Sequence, residues 1–199
     1  MQHTILAVGG SPRAGGNSDK LIAAAVEGAS RLCPAEALHL RDYTFSACVG
    51  CEACRKAKTC AKFHDGMGLI YPQVESARGL ILASPVHNYN VTAWIKAFFD
   101  RLYPYYNFGE QRPGEWSSRL AGQGRKAGLM AVAEQHPGDA GLQRTLESMR
   151  LPLEALGYEI VAELPVYGVF ARGRVTQDTE VMAQAEALGQ SLAQSLIAT

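Results

Sequence analysis

The sequence predicts an α/β fold in which a doubly wound, five-stranded parallel sheet carries helices on both faces. Short apolar runs alternate with longer amphipathic stretches along the 199 residues, which is the pattern of strands that alternate with helices. The runs around Ile5, Leu80 and Leu129 are continuously apolar and do not alternate with polar residues. Strands of that kind are covered on both faces, as in a parallel sheet between two layers of helices.

Each element follows from a local pattern. Gly9 and Gly10 end the first strand, and Pro85 closes the third. Gly157 is a typical helix stop, and Pro152 just before it predicts a kink or break in that helix. Five strands joined by helices favour a sheet of the flavodoxin-like type. The predicted strands span residues 5–8, 37–40, 79–83, 127–133 and 158–166, and the predicted helices span 17–32, 66–77, 91–102, 142–156 and 176–197.

We find no linker, repeat or low-complexity tract, so we expect a single domain over residues 1–199. A cysteine-rich loop occupies about 46–66. Residues 104–125 form a long polar and aromatic connection, and connections of that length are often functional.

The composition excludes some classes of partner. Lys plus Arg and Asp plus Glu both number 19, so the net charge is zero, and neither nucleic acid nor a membrane surface is an expected partner. An anion must therefore be held by local geometry. The sequence shows neither an export signal nor an apolar run of membrane-spanning length, so we expect a cytoplasmic location.

The loop after the first strand, GGSPRAGGNS, predicts an anion site. It leads into a helix, and a helix start offers unpaired N–H groups and a positive dipole end to a phosphate. Gly16 stands where the Walker pattern needs lysine, and the dinucleotide pattern G-x-G-x-x-G does not occur. A single terminal phosphate such as that of FMN fits better; the alternative is an ordinary glycine-rich turn. The candidate ligands are Ser11, Arg13, Gly16, Asn17 and Ser18.

The loop after the third strand, SPVHNYN, predicts a wall for a flat ring at the same sheet edge. His87 or Tyr89 can lie against a ring face, and Asn88 or Asn90 can cap the next helix. The alternative is that His87 and Tyr89 simply face solvent. The loop after the fourth strand, EQHPG, would supply a third wall through Glu134, with His136 exposed.

Four segments together resemble the NADPH-dependent FMN reductase branch of flavodoxin-like proteins, and within it the iron–sulfur flavoproteins. They are GSPRAGGNS, CVGCEACRKAKTC, HDGMGLIY and LILASPVHNYNVTAWIKAFFDR, within residues 3–103. The resemblance implies bound FMN and a homodimer or homotetramer with the flavin near a subunit interface. It implies that the loop after Ala133 completes the site, although this loop lacks the glycine-rich form expected there. The implied phosphate ligands are Ser11, Arg13, Asn17 and Ser18, and the implied ring contacts are Pro85, Val86, His87, Asn88 and Tyr89.

The segment CVGCEACRKAKTC has the spacing C-x2-C-x2-C-x5-C, which predicts a metal site at Cys48, Cys51, Cys54 and Cys60. Its first three cysteines match the ferredoxin run, and a local fourth allows a [4Fe–4S] cluster in one loop. Zinc, thiol exchange and a cysteine loop without any cluster are the alternatives. The fifth cysteine, Cys33, is interpreted as a small structural hydrophobe. The nearby bases that would offset the cluster charge are Arg55, Lys56, Lys58 and Lys62.

The leading functional hypothesis is an FMN-dependent oxidoreductase that passes electrons from NAD(P)H through the flavin to an acceptor such as a quinone or free flavin. The flavin N5 carries this chemistry, so no catalytic side chain is predicted. The runner-up is an iron–sulfur flavoprotein that exchanges electrons with a ferredoxin. A third hypothesis is a flavin- or nucleotide-binding regulatory module without turnover. The sequence does not distinguish NADPH from NADH.

Overall fold

A computed structural model describes residues 4–111 and 114–198, and it confirms the α/β architecture. The central sheet has five strands in the order β2-β1-β3-β6-β7, and all of its neighbours are parallel. Its strands are β1 (Ile5–Gly9), β2 (Ala35–His39), β3 (Gly79–Pro85), β6 (Lys126–Val132) and β7 (Glu159–Val166); a separate hairpin pairs β4 (Tyr106–Phe108) with β5 (Trp116–Ser118). The helices are α1 (Asn17–Ser30), α2 (Cys54–Ala57), α3 (Met67–Ser76), α4 (Ala93–Arg101), α5 (Ala140–Leu156) and α6 (Thr179–Ile197). Short 3-10 turns cover Leu40–Asp42, Tyr103–Tyr105 and Arg174–Gln177.

The strand order reverses beside β1. The chain passes from β1 to β2 on one side, and then crosses to β3 on the other side of β1. Loops that leave the carboxyl ends of β1 and β3 therefore turn to opposite faces and leave a crevice between them, which is where ligands bind in open α/β sheets.

Two apolar layers explain why the strands are continuously hydrophobic. In β1, Ile5 and Ala7 face α1 and α6, whereas Leu6 and Val8 face α3, α4 and α5. All four side chains are at most 1% exposed. Because every position of the strand is buried on one face or the other, no polar alternation is possible.

The packing of α1 against α6 depends on two glycines. A Cβ at Gly189 would meet the carbonyl oxygen of Ala25, and a Cβ at Gly28 would meet that of Glu186, in both cases at a separation that atoms do not tolerate. The helices therefore touch backbone to backbone.

Two features differ from the sequence-based expectations. Helix α5 runs through Pro152 without a break and ends at Gly157, whose φ of +95° forms a left-handed cap. The connection 104–125, of which residues 112–113 lie outside the described residues, contains the antiparallel hairpin β4–β5. Within the described residues, no helix combines the length and the apolar character needed to cross a membrane.

Candidate functional site

The first loop has the geometry of an anion cradle. Gly15 takes a left-handed conformation at φ +67°, and Gly16 then begins α1 as its N-cap without a side-chain cap. The backbone N–H of Arg13 donates to the Ser11 hydroxyl at 3.2 Å. Ser18 is buried in the first turn of the helix. The N–H groups of this turn are thus left for a ligand.

A half-buried ion pair supports this loop. Arg41, which follows β2, donates two hydrogen bonds to Asp19, at 3.0 and 2.9 Å. The same guanidinium donates to the Ser11 carbonyl at 3.1 Å, and Asp19 also accepts from the Gly15 N–H at 2.7 Å. Arg41 and Asp19 are therefore occupied in shaping the loop and are not free to bind a ligand.

Thr92 connects the first loop to the third strand and its helix. Its hydroxyl donates to the Gly10 carbonyl at 2.7 Å and accepts from the Ile95 N–H at 3.3 Å, so Thr92 is the N-cap of α4. Its backbone N–H donates to the hydroxyl of Ser84 at 3.3 Å. The expectation that Asn88 or Asn90 caps α4 is wrong, because Thr92 takes this place.

These loops enclose a cavity of about 430 Å³ at the carboxyl edge of the sheet. The cavity brings together residues from the ends of β1, β3 and β6. Its lining includes every predicted flavin-site residue except Tyr89: Ser11, Arg13, Gly16, Asn17, Ser18, Pro85, Val86, His87, Asn88 and Glu134.

Tyr89 is directed elsewhere. Asn88 and Tyr89 both have positive φ, 46° and 66°, in a tight turn closed by hydrogen bonds between His87 and Asn90. Tyr89 is 57% exposed and packs beside Gly141 at the start of α5. Positive φ at two successive non-glycine residues is backbone strain, which is concentrated at functional turns. His136 is exposed and does not line the cavity.

The loop after β7 also contributes to the cavity, although no sequence motif pointed to it. Its residues Val169, Phe170 and Arg172 line the same cavity, as do Pro12, Val132 and Gln135. The side chain of Asn17 is engaged by this loop: its amide donates to the Ala171 carbonyl and accepts from the Val175 N–H, both at 3.1 Å. The signal that could have found these residues is the general rule that ligands meet the ends of several strands.

The four cysteines of the predicted metal site line a second cavity, of about 180 Å³. Burial raises the pKa of the Cys54 thiol, and the charges of the other three cysteines raise it further, although a backbone hydrogen bond opposes them. In the part of the chain that the structure describes, however, no three His, Cys, Asp or Glu side chains are grouped so that they could hold a metal ion. The thiols share a cavity, but their arrangement does not fit a bound cluster. Cys33, by contrast, is buried in the apolar layer of α1 and α6, as expected.

Arg101 closes the neck of the cysteine loop. It is 2% exposed, and it donates to both carboxylate oxygens of Asp65, at 2.8 and 3.0 Å, and to the Ser46 carbonyl at 2.7 Å. Ser46 in turn donates its N–H to Asp65 at 3.0 Å, so both ends of the loop are joined. Burial alone would raise the pKa of Asp65, but the hydrogen bonds from Arg101, Ser46 and Met67 outweigh it and hold this pKa below its usual value. The Arg101 Nε, which belongs to a residue lining the cysteine cavity, is buried without a partner.

The hairpin forms an aromatic wall beside the cysteine loop. The rings of Tyr103 and Phe108 stack at 4.9 Å, and Trp116 meets Tyr106 edge-on at 5.5 Å. A third cavity, of about 790 Å³, lies against these four rings and reaches Asn90 at its other end. Of the four bases predicted near the cysteines, Lys62 lines their cavity, whereas Arg55 lies over the Phe108 ring and Lys58 donates to Asn107 in the hairpin.

A parallel sheet of this order, with a cavity at the strand reversal, defines a flavodoxin-like α/β protein. The family model described as NADPH-dependent FMN reductase matches residues 3–167. The chain belongs to this family, which confirms the resemblance read from its motifs.

Known relatives and solved structures agree with that family. An iron–sulfur flavoprotein of Methanosarcina thermophila is 38% identical over 98 residues, which cover 49% of this chain and 51% of the relative. One of Archaeoglobus fulgidus is 38% identical over 97 residues, 48% of this chain and 44% of the relative. The chain thus spans about half the length of these relatives.

Two solved structures show the same fold over nearly the whole chain. An NAD(P)H:quinone oxidoreductase from Methanothermobacter marburgensis matches with a TM-score of 0.72 at 17% identity, over 96% of this chain and 100% of its own. An FMN-dependent NADH-azoreductase from Bacillus anthracis, in complex with FMN, matches with a TM-score of 0.67 at 16% identity, over 98% of this chain and 99% of its own. At these identities the likeness establishes the fold alone.

The Thr92 contact predicts a measurable loss of stability. Thr92→Val removes the hydroxyl, so the buried Gly10 carbonyl loses its donor and α4 loses its cap. We expect the free energy of unfolding, measured with urea, to fall by about 1–3 kcal/mol. The control is Thr145→Val, whose buried hydroxyl only donates to Gly141 within α5; we expect a change below about 1 kcal/mol there. Equal losses in the two variants would contradict the role assigned to Thr92.

The Asp65 pair predicts a pH-dependent loss. Asp65→Asn leaves the buried Arg101 without a carboxylate, so we expect the free energy of unfolding at pH 7 to fall by about 3 kcal/mol. The pKa of Asp65 is lower in the folded protein than in the unfolded chain, where it is about 3.9. Its carboxylate therefore stabilises the folded protein fully at pH values above about 3.9. This contribution is lost as the pH falls through the pKa of the folded state. The gap between wild type and variant should therefore shrink below about pH 4.

The control for this pair is Glu75→Gln, which removes the more exposed partner of Arg119 and should cost less than about 1 kcal/mol. Urea unfolding between neutral and acid pH measures both variants. A gap between wild type and Asp65→Asn that stays constant down to acid pH would refute this account.

Proposed function

We propose that the protein is an FMN-dependent oxidoreductase that passes electrons from NAD(P)H through the flavin to a small-molecule acceptor such as a quinone or free flavin. The proposal depends on one observation: residues at or after the ends of four parallel strands, β1, β3, β6 and β7, line a single cavity at the strand reversal. Membership of the FMN reductase family supports the choice of ligand.

The phosphate of FMN would lie at the start of α1. Gly16, Asn17 and Ser18, at the start of α1, line this end of the cavity and would offer backbone N–H groups, and Ser11, Ser18 and Arg13 would add side-chain donors. Neutral donors on a rigid loop suit a phosphate because they are positioned before binding and lose little freedom. The brace of Asp19 and Arg41 maintains this geometry.

The flavin ring would lie along the turn after β3. Pro85, Val86, His87 and Asn88 line that part of the cavity, and Glu134 faces them from the end of β6. Tyr89 does not line the cavity. It could contact only a molecule that binds on the outer, exposed side of the turn. When bound, FMN would supply the redox chemistry, as the carrier of hydride and electrons. The residues of this chain bind and orient the ring and hold water away from it.

The acceptor would be flat and aromatic. The cavity of the hairpin is walled by Tyr103, Tyr106, Phe108 and Trp116, and rings of this kind stack on planar ligands. It reaches Asn90 and Val91, which directly follow the turn of the flavin cavity. A quinone or a free flavin fits such walls better than a charged or saturated substrate does.

A second candidate function is an electron carrier that exchanges electrons with ferredoxin through a [4Fe–4S] cluster. Two observations favour it: all four cysteines line one cavity, and the buried Arg101 Nε beside them lacks a partner. The names of the iron–sulfur flavoprotein relatives point the same way. The described thiols are, however, not grouped for metal binding.

The remaining assignments are also proposals. We also propose a homodimer or homotetramer and a cytoplasmic location, both from the family resemblance alone. A regulatory module that binds flavin without turnover is the third possibility. The balanced charge gives no reason to expect nucleic acid or a membrane surface as a partner.

Stopped-flow spectroscopy tests the enzyme. FMN-loaded protein is mixed without oxygen with NADPH or NADH, and the visible flavin absorbance is followed; free FMN at the same concentration is the control. We expect rapid bleaching with at least one nucleotide, and recovery of the colour when 2-methyl-1,4-naphthoquinone is added. If only reduced ferredoxin bleaches the flavin, the oxidoreductase hypothesis is wrong and the electron-carrier hypothesis is supported. If no donor bleaches it, only the regulatory-module hypothesis remains.

Anaerobic purification tests the cysteine loop. If the carrier hypothesis is right, the protein contains about four iron and four sulfide ions per chain and absorbs as a broad shoulder beside the flavin bands. Cys51→Ala and Cys54→Ala should abolish this iron, whereas Cys33→Ala, outside the loop, should keep it. Flavin bands without stoichiometric iron in the wild type would eliminate the cluster.

A further inference from the structure

The loop after β7 lies across the start of α1. Asn17 fastens it by two hydrogen bonds, to Ala171 and to Val175. The Val175 side chain is fully buried in the layer that α1 and α6 share. Gly173, at φ +71°, turns the chain between these anchors. The loop is thus attached to the phosphate end of the cavity on both sides of Arg172.

Arg172 presents its guanidinium to the same turn that forms the anion cradle. Its Nη2 is 3.3 Å, and its Nε 3.7 Å, from the position that a Cβ of Gly15 would occupy. A second guanidinium approaches from the first loop, where Arg13 lies over the Phe170 ring at 5.3 Å. Arg13, Phe170 and Arg172 all line the 430 Å³ cavity.

Charge distinguishes these two arginines from others of the chain. Arg41, Arg101 and Arg150 each pair with a carboxylate. Within residues 4–111 and 114–198, neither Arg13 nor Arg172 has an ion-pair partner, although the chain as a whole is neutral. Two unpaired guanidinium groups beside a helix start form a site for a doubly charged anion, which is the charge of a phosphate monoester at neutral pH.

We propose that Arg172 is a second phosphate ligand, and that the loop after β7 closes the phosphate end of the flavin site. This inference rests on the proposed function, since it names a further contact to the FMN phosphate. Arg172 differs from the first-loop ligands because it comes from the opposite end of the chain. The flavin site therefore depends on the docking of that loop through Asn17.

The test compares FMN with riboflavin, which has the same ring and no phosphate. Dissociation constants of both are measured by quenching of flavin fluorescence for the wild type, Arg172→Gln and Arg172→Lys. We expect Arg172→Gln to weaken FMN binding about tenfold and to leave riboflavin binding within about twofold. Arg172→Lys should lose less FMN affinity than Arg172→Gln. Lysine keeps the positive charge and loses only the paired hydrogen bonds of the guanidinium group.

The matched control is Arg174→Gln. Arg174 is also exposed and lies in the same region, but it does not line the cavity, so its FMN affinity should equal that of the wild type. An unchanged ratio of FMN to riboflavin affinity in Arg172→Gln, or an equal loss in the control, would overturn the inference. The proposed function fails separately, if the wild type itself binds neither FMN nor riboflavin.

Discussion

The hydroxyl of Thr92 is the contact on which the geometry of the cavity at the sheet edge, the proposed flavin site, depends. It joins the carbonyl of Gly10, at the end of β1, to the first turn of α4, which follows β3. The Gly10 N–H also donates to Ala83 of β3 at 2.9 Å. Gly10 must be glycine here, because a Cβ would lie 2.2 Å from Ile95 in α4. The phosphate end and the ring end of the cavity are therefore held at one separation before any ligand binds, which lowers the entropic cost of binding.

The cysteine loop is held in place by the ion pair of Arg101 and Asp65. Arg101 and Asp65 close its neck, so the loop leaves the core at one point, and its far side rests on the hairpin through Arg55 and Lys58. A buried pair of this kind contributes little net stability, but it makes the loss of one partner costly. It maintains the position of a segment that has little apolar surface of its own, including a four-residue helix with no buried residue.

The aromatic cavity adjoins the cysteine cavity and extends to the turn after β3. Asp100 and Tyr103 line both the cysteine cavity and the aromatic cavity, and Asn90 links the aromatic cavity to the turn of the flavin site. A ring bound against the hairpin would therefore lie between the flavin site and the thiols. This arrangement is compatible with both candidate functions, and it explains why the long connection after α4 carries so many aromatic residues.

The sequence by itself determined the order of strands and helices, because burial on both faces leaves an unmistakable apolar run in each of Ile5–Gly9 and Gly79–Pro85. It also predicted the anion loop, whose glycines, serines and helix start are local in the chain. It could not predict that Arg172 lines the cavity or that the Asn17 side chain binds the loop after β7. Both depend on contacts between residues more than 150 positions apart. Only the tertiary structure decided that Tyr89 turns away, that Thr92 is the cap, and that the four thiols share a cavity. The physical reason is that periodicity and turn chemistry depend on residues close together in the sequence, whereas a binding site is formed by several loops that are far apart in the sequence.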